Sequence, residues 1–187
     1  AGIIASQMEC LGFAPDARLF TYRVFTNQQV SFTSWFLDAF NYAIQSGIHV
    51  LNLSIGGPDF LDRPFVEKVR ELSANGVIVV SAIGNDGPDW GTLNSPADQP
   101  DVIGVGGIDN SFRMANFASR GMTTWELPHG YGRAKPDVVT FSSGLRGSSR
   151  GRGCRRLGGT SVASPVVAGA VTLLASSIAQ ALRPCMM

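Results

Sequence analysis

Histidine is almost missing from this chain: among 187 residues there are only His49 and His129, with three cysteines and 16% charged residues. Each scarcity removes a class of function. Cys10, Cys154 and Cys185 match no zinc spacing and, being odd in number, prove no disulfide framework. Cys10 and Cys154 can pair with each other, or all three thiols can stay free. A net charge of +1 excludes a general nucleic-acid surface. No strand is followed by Gly-x-Gly-x-x-Gly, which excludes a dinucleotide site on a Rossmann-like sheet. Low-complexity tracts and internal repeats are also lacking. The first residue is Ala1 rather than methionine, and Ile3, Ile4, Met8 and Leu11 read as a helix already under way.

What is present is the material of an α/β domain. The length suits one domain or most of one, and a 44% hydrophobic content supplies a sizeable core. Phe32, Trp35, Phe36, Ala39, Phe40, Ala43 and Ile44 recur on one helical face and stop at Gly47. Phe65, Val66, Val69 and Leu72 repeat the pattern between Pro64 and Gly76. Apolar runs at Leu19–Phe25, Val50–Leu53, Val77–Val80 and Val102–Val105 alternate with these helices, as in a mostly parallel sheet covered by helices on both faces. Ser161–Leu182 holds no charge and is long enough to cross a bilayer. Pro165 and the predominance of Ala and Gly favour a buried central helix, with Ala163, Ala168, Gly169 and Ala170 allowing close approach to the sheet, so no membrane span is expected. Arg146, Arg150, Arg152, Arg155 and Arg156 read as a solvated flexible loop.

Three segments carry chemistry. Gly158-Gly159-Thr160-Ser161-Val162-Ala163-Ser164-Pro165-Val166 sets a hydroxyl at a helix N-terminus, where unpaired N–H groups and the positive end of the dipole favour developing negative charge. An ordinary capped helix begins the same way. Ser81-Ala82-Ile83-Gly84-Asn85-Asp86-Gly87-Pro88 places Asn85 beyond the carboxyl end of a buried strand, where functional groups collect in parallel sheets. A simple turn is the alternative. Leu51-Asn52-Leu53-Ser54-Ile55-Gly56-Gly57-Pro58 ends a strand in glycines that let an extended peptide come close, or that merely punctuate the strand. A serine nucleophile needs a base, normally histidine. His49 opens a strand at the end away from the glycines, and His129 sits in a loop of turn chemistry.

Together these segments resemble the nucleophile, oxyanion-hole and substrate-strand motifs of the subtilisin-like serine proteases. The resemblance implies a three-layer α/β fold over residues 1–182, with 183–187 an unassigned tail. It makes Ser161 the nucleophile and Asn85 the donor to the oxyanion, with Ser54, Ile55, Gly56, Gly57 and Ser81, Ala82, Ile83, Gly84 lining a cleft for an extended polypeptide. The family's chain order of Asp, His, Ser implies that the first two lie upstream of Ala1, so the sequence reads as an internal piece that is inactive alone. Arg23-Val24-Phe25-Thr26-Asn27, Trp35 to Ile44 and Phe117 to Pro128 are similar to the site-one protease branch. That branch implies membrane-bound transcription factor precursors as substrates and the lumen of the secretory pathway as location. Calcium is common in the family, but no ligand is assignable and no metal residue is named. Gly158 stands where a serine is usual. A non-catalytic peptide-binding module of the same fold is the competing reading.

Overall fold

The computed structural model describes residues 1–149, 151 and 153–182. Its centre is a four-stranded, all-parallel sheet in the order β1 (Val50–Leu53), β2 (Ile78–Ala82), β3 (Val102–Ile108) and β6 (Val138–Phe141). The register sets Leu53 beside Ser81 and Ala82 beside Val105, so β1 and β2 end within a residue of each other while β3 runs on to Ile108 beside β6.

Alternation along β2 sends Val79 and Val80 to opposite faces, and each face has its own core. Val79 joins Phe40, Ala43, Leu53, Val69, Leu72, Val77 and Val102 under helices α2 (Thr33–Gln45) and α3 (Arg63–Ala74). Phe36 and Phe65 meet edge to face at 5.6 Å between centroids and close the layer. Val80 and Val105 pack instead on Ala163 and Ala168 of helix α4 (Thr160–Leu182). Helix α3 starts where Asp62 accepts a hydrogen bond from Phe65 N at 3.2 Å. It ends ahead of Gly76, whose φ of +78° few other residues tolerate.

Helix α4 is long and apolar enough to cross a membrane by length and composition. Its first half lies on β1, β2 and β3, with Val162, Ala163, Ser164 and Ala168 buried, whereas Leu173, Leu174 and Ile178 are exposed. Ala163 and Ala168 lie against the sheet as expected, but Gly169 faces the N-terminal segment instead: a Cβ there would stand 2.7 Å from Phe13 Cβ.

Three expectations are corrected, and one strand carried no sequence signal. Leu19–Phe25 forms no strand: no other described segment pairs with it, and Leu19 and Phe20 stay exposed. The opening helix is only α1 (Gly2–Ala5), and Met8 and Leu11 are solvent-exposed rather than its buried face. Strand β6 lacks a strong apolar signal because it is an edge strand with Val138, Val139 and Phe141 exposed. The arginine-rich segment is no loose loop: β7 (Ser143–Ser148) and β8 (Cys154–Gly158) form an antiparallel hairpin, separate from the short pair β4 (Gly121–Met122) and β5 (Ala134–Lys135). A disulfide joins Cys10 to Cys154 across 144 residues of sequence. Arg150, Arg152 and the tail at 183–187 lie outside the described residues.

Ala168→Leu should test the close approach of α4. Overfilling this fully buried contact is expected to cost about 1–3 kcal/mol, read as a lower midpoint in denaturant unfolding with an unchanged slope.

Candidate active site

Beyond Ala82 the chain leaves the sheet through a turn that only glycine permits. Gly84 has φ +117°, and a Cβ there would lie 2.6 Å from Ser119 Oγ and 2.7 Å from Asn94 Cγ. The turn is braced: Asp86 N donates to Ser119 Oγ at 3.0 Å, Asn94 Nδ2 to Asp86 Oδ2 at 2.7 Å, and Ser119 N to Gly84 O at 3.1 Å. Asn85 therefore stands exposed on a rigid support.

The start of α4 docks onto it. Thr160 N donates to Asn85 Oδ1 at 2.9 Å, and the buried Thr160 hydroxyl lies 3.0 Å from the same oxygen and 3.1 Å from Gly84 O. A backbone N–H can only donate, so the amide atom facing it must be Oδ1, and Nδ2 points the other way. Ser161, the second residue of α4, is exposed, and its N–H falls in the first turn, where the helix offers no carbonyl. Between these two donors runs Gly159 with φ +110°; the point where its Cβ would sit is 3.7 Å from both Nδ2 and Oδ1 of Asn85 and 3.9 Å from Ser161 N. Two N–H donors thus border one small volume at a helix N-terminus, the arrangement that holds an oxyanion.

Ser161 Oγ donates to Ser54 O at 3.3 Å. Ser54 is itself pinned, since Ser164 Oγ donates to Asn52 Oδ1 at 2.8 Å and Asn52 Nδ2 to Ser54 Oγ at 3.0 Å. Gly57 exchanges both backbone hydrogen bonds with Ser95, at 3.3 and 2.9 Å. In an extended chain alternate residues present their amides to opposite sides, so Gly56 and Ser54 present theirs away from Ser95, along a free edge. Beside it opens a cavity of about 250 Å³ with Phe25, Phe36 and Phe65 among its walls, Ile55, Gly56 and Gly57 along one side, and Asp59 and Asp62 at its border.

The sequence candidates are brought together unequally. Ser161, Asn85, Ser54, Ile55, Gly56 and Gly57 converge. Ser81, Ala82 and Ile83 have buried side chains, with Ser81 Oγ donating to Leu53 O at 3.1 Å, and Gly84 serves as the acceptor for Thr160 and Ser119. Thr160, Asn52, Asp86, Asn94 and Ser119 went unassigned from sequence. Thr160 sits within the serine motif itself, while the others are pinned by contacts distant in sequence. His49 lies at the far end of β1, its carbonyl accepting from Ile78 N, and His129 is exposed in a turn; neither is a hydrogen-bond partner of Ser161. No three His, Cys, Asp or Glu side chains gather as a metal cluster among the described residues.

Behind the cleft wall the segment after Ser95 is held by a buried cation. Lys135 Nζ donates to Val102 O at 2.7 Å, Gln99 O at 3.2 Å and Asp137 Oδ2 at 2.5 Å. Next to it, Asp98 accepts from Trp125 Nε1 at 2.6 Å. Burial pushes the Asp98 carboxyl up to about 6, against the opposing pull of that hydrogen bond, of its own backbone and of the Lys135 charge.

Comparison with known proteins agrees with this geometry. The family whose model matches is the Subtilase family, over residues 1–187. The chain is 73% identical over 178 residues to the membrane-bound transcription factor site-1 protease of Homo sapiens, covering 95% of this chain and 17% of that protein. It is 66% identical over 184 residues to subtilisin-like protease SBT6.1 of Arabidopsis thaliana, covering 98% of this chain and 18% of that one. Subtilisin E of Bacillus subtilis (strain 168) is 32% identical, with 94% and 44% covered. The chain thus spans under a fifth of the length of the first two relatives. Among solved structures, the self-cleaved protease domain of PatA superposes with a TM-score of 0.81 at 28% identity, covering 96% of this chain and 66% of that one.

Asp98 gives a pH test. Its folded pKa lies above the ordinary 3.8, so between about pH 4 and 6 the folded protein holds a proton that the unfolded chain has lost. Unfolding free energy should therefore fall as pH rises through that window and level off above it. Asp98→Asn, which keeps an oxygen for Trp125, should flatten that slope in denaturant titrations at stepped pH; an unchanged slope would assign it to other groups.

Proposed function

Because this chain belongs to the Subtilase family, we propose that it supplies the nucleophile, the oxyanion-binding donors and one wall of the peptide cleft of a serine endopeptidase. The observation that carries this is the small volume bordered by Asn85 Nδ2 and Ser161 N, with Ser161 Oγ at its edge. In the reaction, Ser161 Oγ attacks the scissile carbonyl and its proton passes to a general base. The two N–H donors hold the oxyanion, the base returns the proton to the leaving amine, and water then cleaves the ester by the same route. The described residues offer no histidine at Ser161, so the base, with its orienting carboxylate, is assigned to another part of the full-length protein.

The substrate is an extended polypeptide. Residues before the scissile bond add as a strand along Ser54 and Gly56 and send a side chain into the adjoining cavity. Its aromatic walls and bordering carboxylates, Asp59 and Asp62, suit a side chain with an apolar stem and a cationic end. Residues after the bond leave past Gly158 and the β7–β8 hairpin. The names of the mammalian relatives support membrane-bound transcription factors as substrates, and the reading puts their cleavage in the lumen of the secretory pathway. The Cys10–Cys154 bridge is in keeping with such an oxidising location.

In the full-length protein Ser161→Ala should abolish covalent labelling by a fluorophosphonate probe while leaving peptide binding in place. Labelling that persists would remove Ser161 from the reaction. Asn85→Ala should lower kcat by about 10²–10³ with little change in KM, a magnitude measured on a bacterial subtilisin rather than derived from this geometry. The isolated 187-residue chain should show no turnover; measurable hydrolysis by it would overturn the assignment of the base to another segment.

A further inference from the structure

The hairpin that delivers Ser161 carries its charge in a register that opposes folding. Arg146 lies directly across from Arg156, and Gly147 across from Arg155. Like charges facing each other across two strands are destabilising. No arrangement of side chains relieves this one: Arg146, Arg155 and Arg156 are exposed and make no ion pair or hydrogen bond among the described residues. All fourteen acidic residues precede Val138; the carboxylate that the Cys10 bridge brings to the hairpin, Glu9, sits at its turn, 3.4 Å from where a Gly153 Cβ would stand, and pairs with none of the three arginines.

The hairpin is also fixed in place. Its inner face is held by Gly147, which is buried so tightly that a Cβ would lie 2.6 Å from Leu157 Cδ1 and 3.5 Å from Ile3 Cγ1. Cys154, opposite Ser148, is tied to Cys10. Arg146 and Arg156 consequently share the outer face of a braced ribbon, while Arg155, paired with Gly147, is exposed on the other face. Guanidinium groups so placed match carboxylates in a bidentate manner.

We propose that this ribbon is a recognition surface for acidic side chains of the polypeptide being cut, at positions that follow the scissile bond. The proposal rests on the protease reading above. Three observations select this occupant. Arg156 lies in β8, the strand that leads into α4, five residues before Ser161, so a peptide held at Ser161 needs only a few residues to reach the ribbon. None of the hairpin residues lines the cavity bordered by Asp59 and Asp62, so the two charged regions serve different stretches of one peptide. Finally, one facing pair of guanidinium groups matches one or two carboxylates, a smaller target than the surface of a polyanion.

The test uses the full-length protein carrying Ser161→Ala, so that binding is read without turnover. Fluorescence anisotropy compares two peptides of one sequence, with Asp-Glu or Asn-Gln after the scissile bond. The acidic peptide should bind about tenfold more tightly at low ionic strength, and the gap should close as salt is raised. Arg146→Gln with Arg156→Gln should bring the ratio close to one while leaving the affinity for the neutral peptide unchanged. A ratio in the double variant that stays at the value measured with the arginines intact overturns the proposal. So does equal binding of both peptides by the protein with its arginines intact, and so does binding of phosphatidylserine vesicles through these arginines when the peptides are not distinguished. Hydrolysis of the neutral peptide by the enzyme with Ser161 intact reports separately on the protease reading, because that peptide makes no call on the ribbon.

Discussion

Asn85 Oδ1 is the atom on which the arrangement turns. It receives the Thr160 amide at 2.9 Å and faces the Thr160 hydroxyl at 3.0 Å, welding the exit of β2 to the entry of α4. One contact does two jobs: it fixes which way the Asn85 amide faces, and it sets the angle at which the helix enters the core. Each such bond contributes only about 1 kcal/mol net, but Thr160 is fully buried, and leaving its donors unpaired would cost about 1–3 kcal/mol apiece. The weld is therefore held by the price of breaking it more than by the strength of making it.

Everything behind the weld keeps its two halves in register. On the β2 side, Asp86, Asn94 and Ser119 brace the turn; on the α4 side, Ser164 reaches through Asn52 to Ser54. Ser95 joins these supports to the cleft by pairing with Gly57, and Lys135 anchors the segment that follows through two carbonyls. Polar groups in this region hold backbone in position, while the apolar cores on the two sheet faces supply the bulk of the burial. The division follows from the parallel sheet: strand ends are where regular pairing stops and side chains must satisfy the backbone instead.

Much of this was legible in the sequence, and what was not shares a cause. Helices α2 and α3, strands β1, β2 and β3 and the start of α4 are announced by strong periodicity or unbroken apolar runs. Ser161, Asn85 and the Ser54–Gly57 segment lie in compact motifs that a linear reading can find. Leu19–Phe25 misled because composition reports that a segment suits a sheet and says nothing of whether a neighbour is there to pair with it. The arginine hairpin misled because glycine and charge resemble a solvated loop until a disulfide and a buried Gly147 hold it down. Asn94, Ser119 and Lys135 act on partners 8 to 36 residues away in sequence, with no spacing rule to mark them.

The Cys10–Cys154 bridge also sets an order of events during synthesis. Its second thiol is 144 residues beyond its first, so the ring cannot close until nearly the whole of this stretch has left the ribosome. Throughout that interval Cys10 is a free thiol on a nascent chain, available to be capped or mispaired. Closure then secures β8, the strand that runs straight into Thr160 and Ser161. The bridge thus steadies the strand that leads into Ser161, and a chain released before residue 154 could never form it.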